Sequence, residues 1–140
     1  YGDVLEHLIN PWEHLRNLCH TAHLNSYLIA SVPCFFHHSS LSSLGEMRFD
    51  YEEWGVMDFT HLRHFSLQNI IEMITLAGFA LTDDLPAQYA MDPYGRFLFD
   101  KHSSSLPVSI DFGKLSFRLS NIQELLQVCC YQFILIAKKT

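Results

Sequence analysis

The sequence predicts an α/β fold built on a small mixed sheet of about three strands. Two apolar runs of strand length, Tyr27–Val32 and Tyr131–Ala137, and a further strand segment at Phe79–Leu85 predict it. Helix signals precede each run, so helices and strands alternate along the chain. The order reads helix, strand, long loop, helix, strand, insertion, helix, strand.

The first helix starts at Asn10-Pro11-Trp12-Glu13. Asn10 suits the cap, Pro11 the first helical position, and Glu13 completes a capping box. Trp12, Leu15, Leu18, Cys19 and Ala22 then recur at helical spacing as one buried stripe. His20 and His23 fall at its end as solvated groups that suit the helix dipole, and Asn25 is a stop. The run Tyr27–Val32 is nearly continuously apolar and reads as a strand buried on both faces, ended by Pro33. Periodicity is lost over residues 34–65, apart from a short helix at Ser39–Leu44, which marks a binding loop or lid.

Ser66 caps a second helix with Ile70, Ile71, Met73, Ile74 and Ala77 on its buried face, and Gly78 ends it. Phe79–Leu85 follows as a strand. Residues 86–107 read as irregular. Val108, Ile110 and Phe112, then Leu115, Phe117 and Leu119, alternate with polar residues across Gly113-Lys114, the pattern of a hairpin. Ser120 and Gln123 form a capping box for a third helix, and Tyr131–Ala137 is the last strand.

Composition bounds the function. A chain of 140 residues with 49% hydrophobic and 17% charged residues is a globular domain, not a disordered one. A formal net charge of −6 argues against nucleic acid as partner, because phosphate binding needs clustered Lys and Arg. No apolar run approaches the roughly 20 residues of a membrane helix. Four cysteines without a C-x-x-C pair fit a reduced, cytoplasmic setting in which they pack as small hydrophobes.

Nine histidines are many for this length and most lie between His7 and His64, so the first half is where chemistry is expected. Asp3, Glu6 and His7 stand at i, i+3 and i+4, on one side of a helical turn. Two carboxylates and an imidazole suit a divalent metal. The set is incomplete, with His37, His38 and His61 as candidate further ligands, so a metal is the minor expectation and none is the main one.

Three strings carry a family resemblance: Asp3-Val4-Leu5-Glu6-His7-Leu8-Ile9-Asn10-Pro11, Ala30-Ser31-Val32-Pro33, and Asp58-Phe59-Thr60-His61-Leu62-Arg63-His64-Phe65-Ser66. With Ala77-Gly78-Phe79 they cover residues 1–85. In this order and spacing, the chain resembles the C-terminal half of class I S-adenosylmethionine-dependent methyltransferases, of the small-molecule and sugar type. The resemblance implies the C-terminal half of a Rossmann-like fold, with 34–65 on the substrate side and 86–120 an insertion in a single domain 1–140. It also implies that Tyr131–Ala137 runs antiparallel between the other two strands.

Its implied roles are His7 and His61 at the catalytic centre, Asp3 and Glu6 toward the cofactor, and His37, Trp54 and Arg63 toward a small-molecule acceptor. Some relatives bind a divalent metal through an E-x-x-E-H string, where this chain has Asp3 for the first Glu. Two departures stand out. Cys34 replaces the usual Asn, and none of the glycines at 2, 45, 55, 78, 95 and 113 forms the G-x-G turn that holds the cofactor. The alternative expectation is a non-catalytic module that self-associates as a homodimer through the exposed edge of the Tyr27–Val32 strand.

Overall fold

The computed structural model describes residues 1–82 and 87–140. Its centre is the final strand, β6 (Cys130–Lys139). β1 (Tyr27–Pro33) pairs antiparallel with one side of β6, from Tyr27 opposite Lys138 to Pro33 opposite Gln132. β2 (Phe79–Leu81) and β3 (Ala87–Met91) follow one another along the other side, both antiparallel to β6. The order β1-β6-β2, with the last strand antiparallel in the middle, agrees with expectation.

Two features of the sheet differ from it. Four strands take part, and every ladder among the described residues is antiparallel, so the sheet is not mixed. Parallel pairing is confined to isolated bridges such as Gly2 with Ser31. That bridge lays residues 1–3 along the outer edge of β1: Ser31 N donates to Tyr1 O at 2.8 Å and Asp3 N to Ser31 O at 3.2 Å. The expected β2 run to Leu85 is seen as far as Leu81, and residues 83–85 lie outside the described chain.

One face of the sheet is packed. Leu28, Ala30 and Val32 of β1 and Phe133, Leu135 and Ala137 of β6 point into a core with α1 (Pro11–Thr21) and α3 (Leu67–Leu76). The opposite face explains why β1 is not buried on both sides: Tyr27 is 63% and Ile29 56% exposed. The helix starts are as expected, Asn10 accepting from Glu13 N and Ser66 from Asn69 N. Trp12, expected on the buried stripe of α1, is 39% exposed.

Most of the stretch expected to be irregular is regular, as β3 and then a helix. Asp92 caps α4 (Pro93–His102) by accepting from Gly95 N, with Pro93 in its first turn. The hairpin forms as expected from β4 (Val108–Phe112) and β5 (Leu115–Leu119). α5 (Ile122–Cys129) is capped by Asn121, not Ser120; Glu124 N donates to Asn121 Oδ1 at 3.0 Å. With α2 (His38–Gly45), these elements build a second core of Leu41, Leu98, Phe112, Leu119, Leu125, Val128 and Cys129. Gly45 allows α2 to meet β4: a Cβ there would stand 1.6 Å from the Phe112 carbonyl oxygen. All four cysteines are free and buried. Among the described residues, no helix is long and apolar enough to cross a membrane.

Candidate functional site

A cavity of about 640 Å³ opens beside residues 3–7, the start of α2 and the long loop. Asp3, Glu6, His7, His61, Asp58 and Trp54 line one part, and His37, Ser39, Asp92, Tyr131 and Gln132 the other. Six of the seven residues expected at a site therefore converge on one space.

A 3-10 turn, Leu5–His7, sets the first wall. Leu5 is fully buried and anchors the turn in the main core. Glu6 is carried inward with it and is 1% exposed. Its backbone oxygen accepts from Leu62 N at 2.8 Å and Arg63 N at 3.0 Å, tying the turn to the long loop. Neither carboxylate oxygen has a hydrogen-bond partner. Burial, reinforced by the charge of Asp3, holds the Glu6 carboxyl above its usual range against the weaker pull of its own backbone N–H and of His7. Asp3 adopts φ +49° and accepts on Oδ1 from Ser31 Oγ and Gln132 Nε2.

His7 and His61 lie edge to face, with ring centroids 4.8 Å apart. His7 Nδ1 donates to the Thr60 carbonyl at 3.2 Å, and His61 Nδ1 to the Val56 carbonyl at 3.2 Å. A donating Nδ1 leaves the Nε2 lone pair free to take a proton. Thr60 also donates from N and Oγ1 to Asp58 Oδ1, which holds that carboxyl below its usual range. Ligand atoms of Glu6, His7 and His61 lie within 4.8 Å of one another. His61 thus takes the place in this cluster that the sequence reading gave to Asp3.

The second wall starts where α2 begins. His37 Nδ1 lies 2.8 Å from Ser39 Oγ, and its ring centroid is 3.8 Å from that of His38. His38 Nε2 is 3.1 Å from both carboxylate oxygens of Asp92. Burial and the neighbouring His38 push His37 down to about 4, against the pull of Asp92, so its imidazole is neutral at pH 7.

Trp54, 79% exposed, stands at the mouth of the cavity. Arg63 is placed elsewhere: its guanidinium donates to the Leu62 and Ile9 carbonyls and does not line the cavity. Cys34 is buried behind Pro33, donating to the Gln127 carbonyl at 3.1 Å. Among the lining residues outside the expected set are Asp58, Asp92, Tyr131 and Gln132. Asp58 opens one of the three strings, and Asp92-Pro93 repeats the helix-start signal of Asn10-Pro11, so two of the four carried a signal.

A scan against protein-family models finds no match, and a search of the curated proteins finds no relative.

Proposed function

We propose that this chain supplies the acceptor-side wall of a class I S-adenosylmethionine-dependent methyltransferase acting on a small molecule. The observation that carries the reading is the convergence of the three strings. Asp3, Glu6 and His7 come from the first, Pro33 from the second, Asp58 and His61 from the third, and all line one cavity. The position of β6 between β1 and β2 supports it further.

Methyl transfer is an in-line displacement whose main requirement is a held acceptor, with a base where the acceptor is a hydroxyl. His7 presents Nε2 as that base, and His61 beside it orients the acceptor. The bound cofactor supplies an electrophilic methyl group. Glu6 fits the cofactor's amino group: two buried carboxylate oxygens lack partners, and leaving such groups unpaired costs about 1–3 kcal/mol or more. Asp3 fits less well, since its Oδ1 already accepts two donors. The ribose and remaining methionine contacts would come from residues outside these 140.

The test is direct. The chain alone is expected to bind S-adenosylmethionine no tighter than millimolar by titration calorimetry. If the gene encodes a further stretch upstream with a G-x-G turn after an apolar strand, the chain extended by it is expected to transfer labelled methyl groups to a small-molecule fraction. An extended chain that lacks the turn and transfers nothing overturns the reading.

A second reading, self-association as an interaction module, draws on the open sheet face at Tyr27 and Ile29. Residues 1–3 already occupy part of the β1 edge, so face-to-face packing fits better than edge pairing. Sedimentation as a monomer at micromolar concentration removes it.

A further inference from the structure

We propose that His37, His38 and Asp92 bind a borderline divalent transition ion, zinc first among them. The site does not depend on the methyl-transfer reading. The three ligand atoms lie within 4.8 Å of one another. His37 Nε2 is 3.5 Å and His38 Nε2 3.1 Å from the same oxygen, Asp92 Oδ2. Donor atoms around tetrahedral zinc, each about 2.0–2.1 Å from the ion, are about 3.3 Å apart. The spacing is already close to that.

The independent indication is His37 itself. It is 4% exposed, and its Nε2 is buried without a hydrogen-bond partner. Nδ1 lies 2.8 Å from Ser39 Oγ, and in the tautomer that donates there Nε2 is a ligand atom 3.5 Å from Asp92 Oδ2. A cation between that nitrogen and the carboxylate oxygen would attract both and give the buried Nε2 the partner it lacks. The Ser39 bond is also the outer contact that orients a metal-ligating imidazole.

The ligands are held by backbone. His37 and His38 are the cap and first residue of α2, and Asp92 is the cap of α4. Two helix N-termini disfavour a cation. That cost selects an ion with strong affinity for nitrogen over magnesium, which prefers oxygen. His37, Ser39 and Asp92 also line the cavity, so the ion would keep an open position toward it, as catalytic rather than structural sites do.

Calorimetric titration of the chain with Zn²⁺ tests this. One equivalent at micromolar affinity is expected, with magnesium giving none. Co²⁺ should show d–d absorption without a thiolate charge-transfer band. H37Q and D92N should each weaken zinc at least tenfold; Asn at 92 still caps α4. H61Q, on the other wall, should not. Should H37Q lose its fold by circular dichroism, H38Q carries the same test. No binding at 100 micromolar zinc, equal affinity in the variants, or a thiolate band overturns the proposal.

Discussion

His7 and His61 meet edge to face at 67°, although one lies in the first turn of the chain and the other deep in the long loop. Each spends Nδ1 on a backbone carbonyl, of Thr60 and Val56 respectively. The pair is therefore expected as the Nδ1–H tautomer when neutral, the minor form of free imidazole. Long-range nitrogen–proton correlation spectra at pH 8 check this. Signals of the Nε2–H form from both rings would remove the basis for His7 as a proton acceptor.

Glu6 sets a pH dependence of the opposite sense to most carboxylates. Burial raises its folded value above 4.5, so the fold favours the protonated form. Its contribution to stability is fully present below 4.5 and is lost as pH rises through the raised value. Glu6→Gln removes the charge at similar volume. It is expected to stabilise the fold at pH 8 by about 1–3 kcal/mol, the scale of an unsatisfied buried group, and to match the parent near pH 4. Urea unfolding at both pH values measures it. Equal stabilisation at the two would show that packing, not charge, is responsible.

Gly45 brings α2 against β4 within the second core at a distance no side chain tolerates. Its virtual Cβ falls 1.6 Å from Phe112 O, and its own carbonyl accepts from Lys114 N at 2.8 Å. Gly45→Ala is expected to cost about 2–3 kcal/mol by overpacking. Gly95→Ala, with a Cβ 2.0 Å from Cys129 O, should behave alike. Gly2→Ala meets nothing nearer than Ser31 Oγ at 3.8 Å and should fall within about 0.5 kcal/mol of the parent. Thermal unfolding of the three variants decides between close approach and mere helix propensity.

What could be read from the chain follows where burial was periodic. β1 and β6 announce themselves because Leu28, Ala30, Val32, Phe133, Leu135 and Ala137 fill one face. α4 was hidden because its large residues point outward: Tyr94 and Phe97 are each 54% exposed, while Gly95 and Leu98 face the core. β3 was hidden because none of Ala87–Met91 is fully buried, so its alternation is faint. The site divides the same way. Asp3, Glu6, His7 and His61 sit in strings with local spacing, whereas the meeting of His38 with Asp92, 54 residues apart, is a long-range contact that no local pattern reports.

His37 governs the acid limb. Its folded value of about 4 lies below the ordinary 6.5, so the fold favours the neutral imidazole. The stabilising contribution is complete above 6.5 and is lost as pH falls from there to about 4, an interval worth about 3 kcal/mol. His64, lowered by burial and by the charge of His61, adds loss of the same sign. Asp92 acts further down. Burial raises its value, but the Gly95 N–H bond and His38 together outweigh that and hold it below 3.8, so its share disappears only below that pH. Urea unfolding from pH 7.5 to 4.5, with a chelator present, should show stability falling once pH drops below 6.5, less steeply than His37 alone dictates because protonation of Glu6 works in the opposite sense. His37→Gln should flatten most of the slope and leave the part due to His64. An unchanged slope in that variant would place the acid-sensitive group elsewhere. Saturating zinc should raise stability at pH 7.5 and lose that gain on acidification, because protons compete with the ion for both imidazoles.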